Sequence, residues 1–398
     1  ARYNGTANRH DLVTAIAVDT SGNVYVTGYS DGIEAGYAYP LYEWATIKYD
    51  TNGNQLWVAR YHGPTTDSHD CASAIAVDAS GNVYVTGETV NNAKNTDYTT
   101  IKYDTNGNQL WVAKYNGPGN YTDWARAIAV DISGNVYITG YSYGGSKTQL
   151  DYATIKYDTN GNQLWVARYD SPGDIGYDQE YAEAIAMDNL DNVYVTGSSY
   201  GSRGNWDYAT VKYDTNGNQL WVARYDGPGV TWNHDNATGI AVDTSGNAYV
   251  TGYSVGSGTS FDYATLKYDI NGNKLWIARS DGSAHAEDKA YAIAVDILGN
   301  IYVTGYHTET YFSPIATIKY DTNGNKVWMA SHHSLRNNQG MAIALDVFDN
   351  IFVAGASNTD YTMVKYSQKP TNRSPLANAG TDQTVSCAGS NGAAVTLD

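Results

Sequence analysis

Ala127-Ile128-Ala129-Val130-Asp131-Ile132-Ser133-Gly134-Asn135-Val136-Tyr137-Ile138-Thr139-Gly140 opens a unit that this chain repeats. Its first five residues recur, nearly unchanged, at Ala15–Asp19, Ala74–Asp78, Ala184–Asp188, Gly239–Asp243, Ala292–Asp296 and Ala342–Asp346. The unit continues with Tyr152-Ala153-Thr154-Ile155-Lys156-Tyr157, the turn Asp158-Thr159-Asn160-Gly161-Asn162, and Leu164-Trp165-Val166-Ala167-Arg168-Tyr169. Tryptophans keep the period: Trp57, Trp111, Trp165, Trp221, Trp276 and Trp328 stand 54, 54, 56, 55 and 52 residues apart. Self-similarity at a fixed period of this length marks a repeat architecture.

Each unit reads as four strands. Ala127–Val130 alternates small and branched side chains, and Val136–Thr139 is β-branched and aromatic, which suits a pleated surface. Gly134 supplies a positive φ between them, while Asp131 and Asn135 can bond the turn backbone. Asn160-Gly161 is a hairpin signal between the third and fourth strands. No segment shows a helical period. Four antiparallel strands in seven units predict an all-β, seven-bladed propeller, with small residues where inner strands converge. A barrel or sandwich would need more strands than either normally holds. The seventh unit lacks its fourth strand, whereas Ala1-Arg2-Tyr3-Asn4-Gly5 matches Ala113-Lys114-Tyr115-Asn116-Gly117. The expectation is a ring closed by residues 1–5 completing the last blade, with the propeller covering 1–366.

Composition excludes some functions. Of 398 residues, 41 are acidic and 24 basic, a net charge of −17. Phosphate binding needs clustered Lys and Arg, so no nucleic-acid partner is expected. No apolar run reaches the roughly 18 residues of a membrane helix, so no membrane insertion of that kind is expected. The two cysteines, Cys71 and Cys387, form no metal or haem motif. A start at Ala1 rather than Met is expected of a processed or excised piece.

Comparison among the copies separates scaffold from variation. The turns after the first and third strands are nearly invariant, and the other two connections vary in length and content. Variable loops on a rigid scaffold are where recognition concentrates. Their aromatics are the candidate binding residues: Tyr37, Tyr39, Tyr42, Trp44, Tyr121, Trp124, Tyr143, Tyr177, Tyr181, Trp206, Trp232 and Tyr311. Such rings offer contact area at low entropic cost, or else pack loops onto the blades. An acid also precedes each inner strand: Asp11, Asp70, Asp123, Glu180, Asp235 and Asp288, with Asn338 in the seventh copy. These could hold a cation near the axis, Ca2+ being the one that suits carboxylates. Alternatively, they bond backbone amides of neighbouring loops. No nucleophile elbow or phosphate loop occurs, so no catalytic residue and no other cofactor is expected.

The run Asp-x-x-Gly-Asn-Val-Tyr-Val-Thr-Gly followed by Tyr-Ala-Thr-Ile-Lys-Tyr-Asp resembles the SBBP-type β-propeller repeat of bacteria and archaea. The resemblance implies a secreted or surface-attached prokaryotic protein and brings no catalytic set with it. Residues 367–375 read as a linker. Pro375–Gly380, Thr384–Cys387 and Ala394–Asp398 resemble the opening strands of a PKD-like or other Ig-like domain, truncated over 376–398. The expected function is a non-enzymatic extracellular recognition or adhesion module whose partner is a glycan or surface protein, or further copies of itself. The alternatives are an assembly subunit of a surface layer or filament, and an enzyme with a loop-built site.

Overall fold

The computed structural model describes residues 3, 5, 11–32, 41–65, 70–145, 149–171, 179–201, 204–229, 234–309, 312–333, 338–346, 348–357 and 360–367. The architecture is a seven-bladed β-propeller of antiparallel blades, without helices among these residues. Blade three is representative: Asp123–Val130, Val136–Gly145, Gln149–Tyr157 and Gln163–Tyr169 hydrogen-bond in that order. The seventh sheet shows three strands among the described residues, Asn338–Leu345, Ile351–Ser357 and Asp360–Tyr366. Ala1, Arg2 and Asn4 lie outside the described residues, as do the PKD-like segment and all but Ser367 of the linker. Two compact units divide the chain: Ala1–Gly204 with Val211–Leu220, and Asn205–Thr210 with Trp221–Asp398. Blades one to three fall in the first unit and five to seven in the second, the boundary passing through Trp206–Tyr213 of blade four.

The core lies between neighbouring blades. Tyr84, Tyr98, Ala113 and Tyr115 of blade two pack with Val136, Ile138, Ile155 and Tyr157 of blade three, and Trp111 and Ile128 flank them. The same grouping joins Tyr249 and Tyr263 of blade five to Ile301, Val303 and Ile318 of blade six. Each such side chain contributes roughly 1.5–3 kcal/mol when fully buried. A repeated unit cannot bury this face alone, which is why it occurs in series.

The invariant turns work through their aspartates. Asp131 accepts Ser133 N–H at 2.9 Å and Asn135 N–H at 2.8 Å through Oδ1, and the Asn135 amide (2.7 Å) and Tyr137 hydroxyl (3.0 Å) through Oδ2. Asp19, Asp78, Asp188, Asp243 and Asp296 repeat this arrangement, including the tyrosine hydroxyl. The other turn couples blades. Trp111 donates its indole N–H to Thr159 of the next blade at 3.0 Å, and Lys102 reaches the same carbonyl at 3.3 Å. Gly161, at φ +85°, lies against the Trp111 ring, so closely that a Cβ there would sit 2.8 Å from Cδ2. The Asn-Gly dipeptide thus serves both a left-handed turn and a blade contact.

Candidate functional site

Every inner strand carries a β-bulge at one position. Pairing shifts between Val13 and Ala15, Ala72 and Ala74, Ala125 and Ala127, Ala182 and Ala184, Ala237 and Gly239, Ala290 and Ala292, and Gly340 and Ala342. The extra residues are Thr14, Ser73, Arg126, Glu183, Thr238, Tyr291 and Met341. Bulges re-aim side chains and cluster beside functional sites. They also explain the glycine of Val-Tyr-Ile-Thr-Gly: a Cβ on Gly140 would sit 2.0 Å from the Trp124 carbonyl oxygen. The inner strands therefore begin earlier than the Ala-Ile-Ala-Val phrase suggests, at Asp123 rather than Ala127 in blade three.

The bulges of blades two to four build one polar and aromatic patch within the first unit. Arg126 donates from Nη2 to the Tyr141 hydroxyl at 2.7 Å and lies 5.2 Å from the ring centroid. Its Nε stands 4.0 Å from Glu183 Oε2, with both side chains more than a third exposed. Trp124 packs on Tyr141 at 5.0 Å, and Tyr181 meets the same ring edge-on at 4.8 Å. Ser73 donates to Glu88 at 3.4 Å. Burial pushes the Glu88 carboxyl up to about 7, against the pull of Arg126. Burial raises Glu183 as well, again opposed by Arg126. The arrangement offers a guanidinium between two protonatable carboxyls, bordered by rings. It can contact hydroxyls, amides or charged groups of a ligand.

The expected aromatic residues divide. Trp124 and Tyr181 come together through Tyr141. Tyr121, 57% exposed, packs on Tyr143 at 5.4 Å. Tyr42 is edge-on to Tyr29 at 4.9 Å, and Trp206 is half-buried at the start of its strand. Trp44 belongs to the core and not to a binding surface: it is 1% exposed, with its ring 5.7 Å from Tyr61 and its indole N–H donated to the Glu88 carbonyl. Tyr37, Tyr39, Tyr177, Trp232 and Tyr311 lie outside the described residues. Arg126, Glu183, Glu88 and Tyr141 went unrecognised in the sequence. A signal existed: the residue before each Ala-Ile-Ala-Val phrase differs in nearly every copy, beside positions that do not.

The acids at or just before the starts of the inner strands act as backbone acceptors. Asp70 takes Gly63 N–H at 2.6 Å and Val90 N–H at 2.8 Å, tying the incoming inter-blade loop to the second-to-third loop. Asp123 takes Gly117 N–H at 2.7 Å and Tyr143 N–H at 3.0 Å. Asp11 binds Gly5 N–H at 2.9 Å, and Asp235 binds Gly227 N–H at 2.6 Å. Asp288 accepts from Gly282 and from Thr308. Asp70, Asp123, Glu180, Asp235, Asp288 and Asn338 are fully buried. Burial raises Asp123, and with neighbouring carboxylates it brings Asp235 and Asp288 to about 6.

Comparison with known proteins agrees with this architecture. The SBBP family, described as a β-propeller repeat, matches residues 1–33, 110–146, 228–258 and 281–306. An uncharacterized WD repeat-containing protein, L264, of Acanthamoeba polyphaga mimivirus is 24% identical over 78% of this chain. The chain spans only 31% of the length of that relative. Among solved structures, the polysaccharide lyase Uly1 superposes with a TM-score of 0.53 at 10% identity, covering 88% of this chain and 89% of that one. The Pseudomonas aeruginosa periplasmic gluconolactonase PpgL gives 0.50 at 11% identity, covering 81% and 85%. At such identities the likeness is one of fold. The repeats at the matched residues are thus similar to the SBBP-type β-propeller repeat.

Proposed function

We propose that this chain is a non-enzymatic extracellular recognition module that binds glycan on the face bearing its long loops. The observation that carries the reading is the patch around Arg126. The scaffold repeats, yet its bulge residues do not, and in blades two to four they set Arg126, Glu183 and Glu88 beside Trp124, Tyr141 and Tyr181. Aromatic rings stack on the apolar faces of sugars, and the flanking guanidinium and carboxyls can bond their hydroxyls. Binding of the whole chain to a glycan array, followed by titration of the hits, tests this. Trp124→Ala and Arg126→Ala should each weaken binding at least about tenfold, an effect of about 1.4 kcal/mol, with the fold intact. A blank array at high protein concentration, with a protein partner recovered by pull-down instead, would move the assignment to protein recognition.

Catalysis is the second reading, favoured by Glu88. A carboxyl that burial brings to about 7 against the pull of Arg126 has the protonation expected of a general acid. Turnover of a bound glycan that is abolished in Glu88→Gln, with binding retained, would establish it. Binding without turnover would leave the recognition reading in place.

A further inference from the structure

The loop ends of three successive blade junctions gather carboxylates beyond what the scaffold uses. Asp262 is the second residue of the third strand of blade five, Asp281 follows its fourth strand, and Asp288 precedes the inner strand of blade six. One oxygen from each lies within 4.8 Å of the others. The same juxtaposition recurs at Asp207, Asp226 and Asp235, and at Asp151, Asp170 and Glu180. Scaffold needs account for part of it. Arg279 holds Asp262 through Oδ2 at 2.9 Å, Thr259 donates to that same oxygen, and Asp288 accepts the N–H groups of Gly282 and Thr308.

Two features remain. Asp262 is 4% exposed, and its second oxygen, Oδ1, is buried with no hydrogen-bond donor. A buried carboxylate oxygen without a donor is costly unless a cation meets it. In addition, Asp281, Asp226 and Asp170 fill a position that the scaffold does not require to be acidic. Blades one, two and six carry His62, Asn116 and His333 there. Asp281 receives His285 Nδ1, and one guanidinium against three carboxylates leaves a cluster charge of −2 (1 − 3).

We propose that Asp262, Asp281 and Asp288 hold a calcium-type divalent cation, and that the two corresponding clusters are further sites of the same kind. All-carboxylate donors select a hard cation, and oxygens up to about 4.8 Å apart fit across an ion with bonds of about 2.3–2.6 Å. Calcium tolerates the irregular geometry of loop ligands, whereas magnesium demands a near-ideal octahedron. The ion would tie the exit of one blade to the inner strand of the next and stiffen the face that bears the loops.

The test is calorimetric titration of the chelator-treated full chain with Ca2+, and with Mg2+ as the control, alongside thermal unfolding. Asp170→Asn, Asp226→Asn and Asp281→Asn place at each site the residue that blade two already carries as Asn116, so the fold should persist in the triple variant. The expected result is saturable Ca2+ binding that raises the melting temperature, at least about tenfold weaker binding of Mg2+, and loss of one bound ion per substituted site. Absence of saturable Ca2+ binding would overturn the proposal. So would Ca2+ stoichiometry unchanged in the triple variant, or Ca2+ and Mg2+ acting alike.

Discussion

The turn-end aspartates and the carboxylates of the Arg126 patch are treated in opposite ways. At the turn end, Asp188 is 8% exposed and accepts from Leu190 N, Asn192 N, the Asn192 amide and the Tyr194 hydroxyl, with Lys212 at 3.5 Å. Burial pushes its carboxyl up, but these hydrogen bonds outweigh it and hold it below the usual range. In the patch, Glu183 and Glu88 share the influence of one Arg126, and burial wins. Donors saturate the acids of the first kind, leaving them nothing to offer a ligand. Those of the second kind are held in an unfavourable state, and such local conflict is the mark of a functional region.

The sharpest way to break this contrast uses two glycines in one blade. Gly161→Ala at the turn end adds a methyl against the Trp111 ring and forces an L-residue to φ +85°. Strain and overlap together should cost about 2–4 kcal/mol, read as a lower urea midpoint with an unchanged slope. Gly145→Ala at the loop end has φ +116° and no atom within 4 Å of the added carbon. It should carry the backbone strain alone, about 1–2 kcal/mol. Equal losses would mean that the Trp111 contact does not fix the turn.

Asp188→Ala comes next. It leaves two backbone N–H groups and the Tyr194 hydroxyl without their acceptor, and should cost about 2–3 kcal/mol at pH 7. Its carboxyl is lowered in the fold, so its contribution is present above the ordinary aspartate range and lost as pH falls through and below it. Wild type and variant should therefore converge in strong acid. Glu183→Ala at the loop end should change stability far less, because no N–H or hydroxyl depends on it for the turn. A large loss from Glu183→Ala would make the patch structural.

The turn end was the legible half. Asp131, Gly134 and Asn135 repeat because their roles are local, and local backbone geometry follows from residue type. Blade number and strand order followed from the same repetition. The loop end was legible only as a region. Trp44 looks like the other loop aromatics in the sequence, but the long strand Leu41–Tyr49 carries it into the core. The repetition of Asp70 and Asp123 favours amide acceptors over ligands, but which amides they accept depends on the positions of Gly63, Val90, Gly117 and Tyr143. The bulge escaped because a period-two reading allows no extra residue, so Arg126 and Glu183 passed for ordinary strand positions.

Glu88→Gln is the finer probe of the same contrast. In the unfolded chain this carboxyl titrates in the ordinary glutamate range, and in the fold it is held up at about 7. Its protonated form is favoured by folding, so the stability associated with it is full below the ordinary range, declines as pH rises toward 7, and is absent above that. Glutamine removes the titration. At pH 8 the variant should be more stable than wild type by about 1–3 kcal/mol, while at pH 4 the two should nearly coincide. Denaturation midpoints at both values decide it. An advantage of equal size at pH 4 and pH 8 would point to better packing rather than relief of a buried charge. An advantage confined to pH 8 and coupled to weaker ligand binding would show that the patch retains an ionisable group at the expense of stability, as Asp188 at the turn end does not.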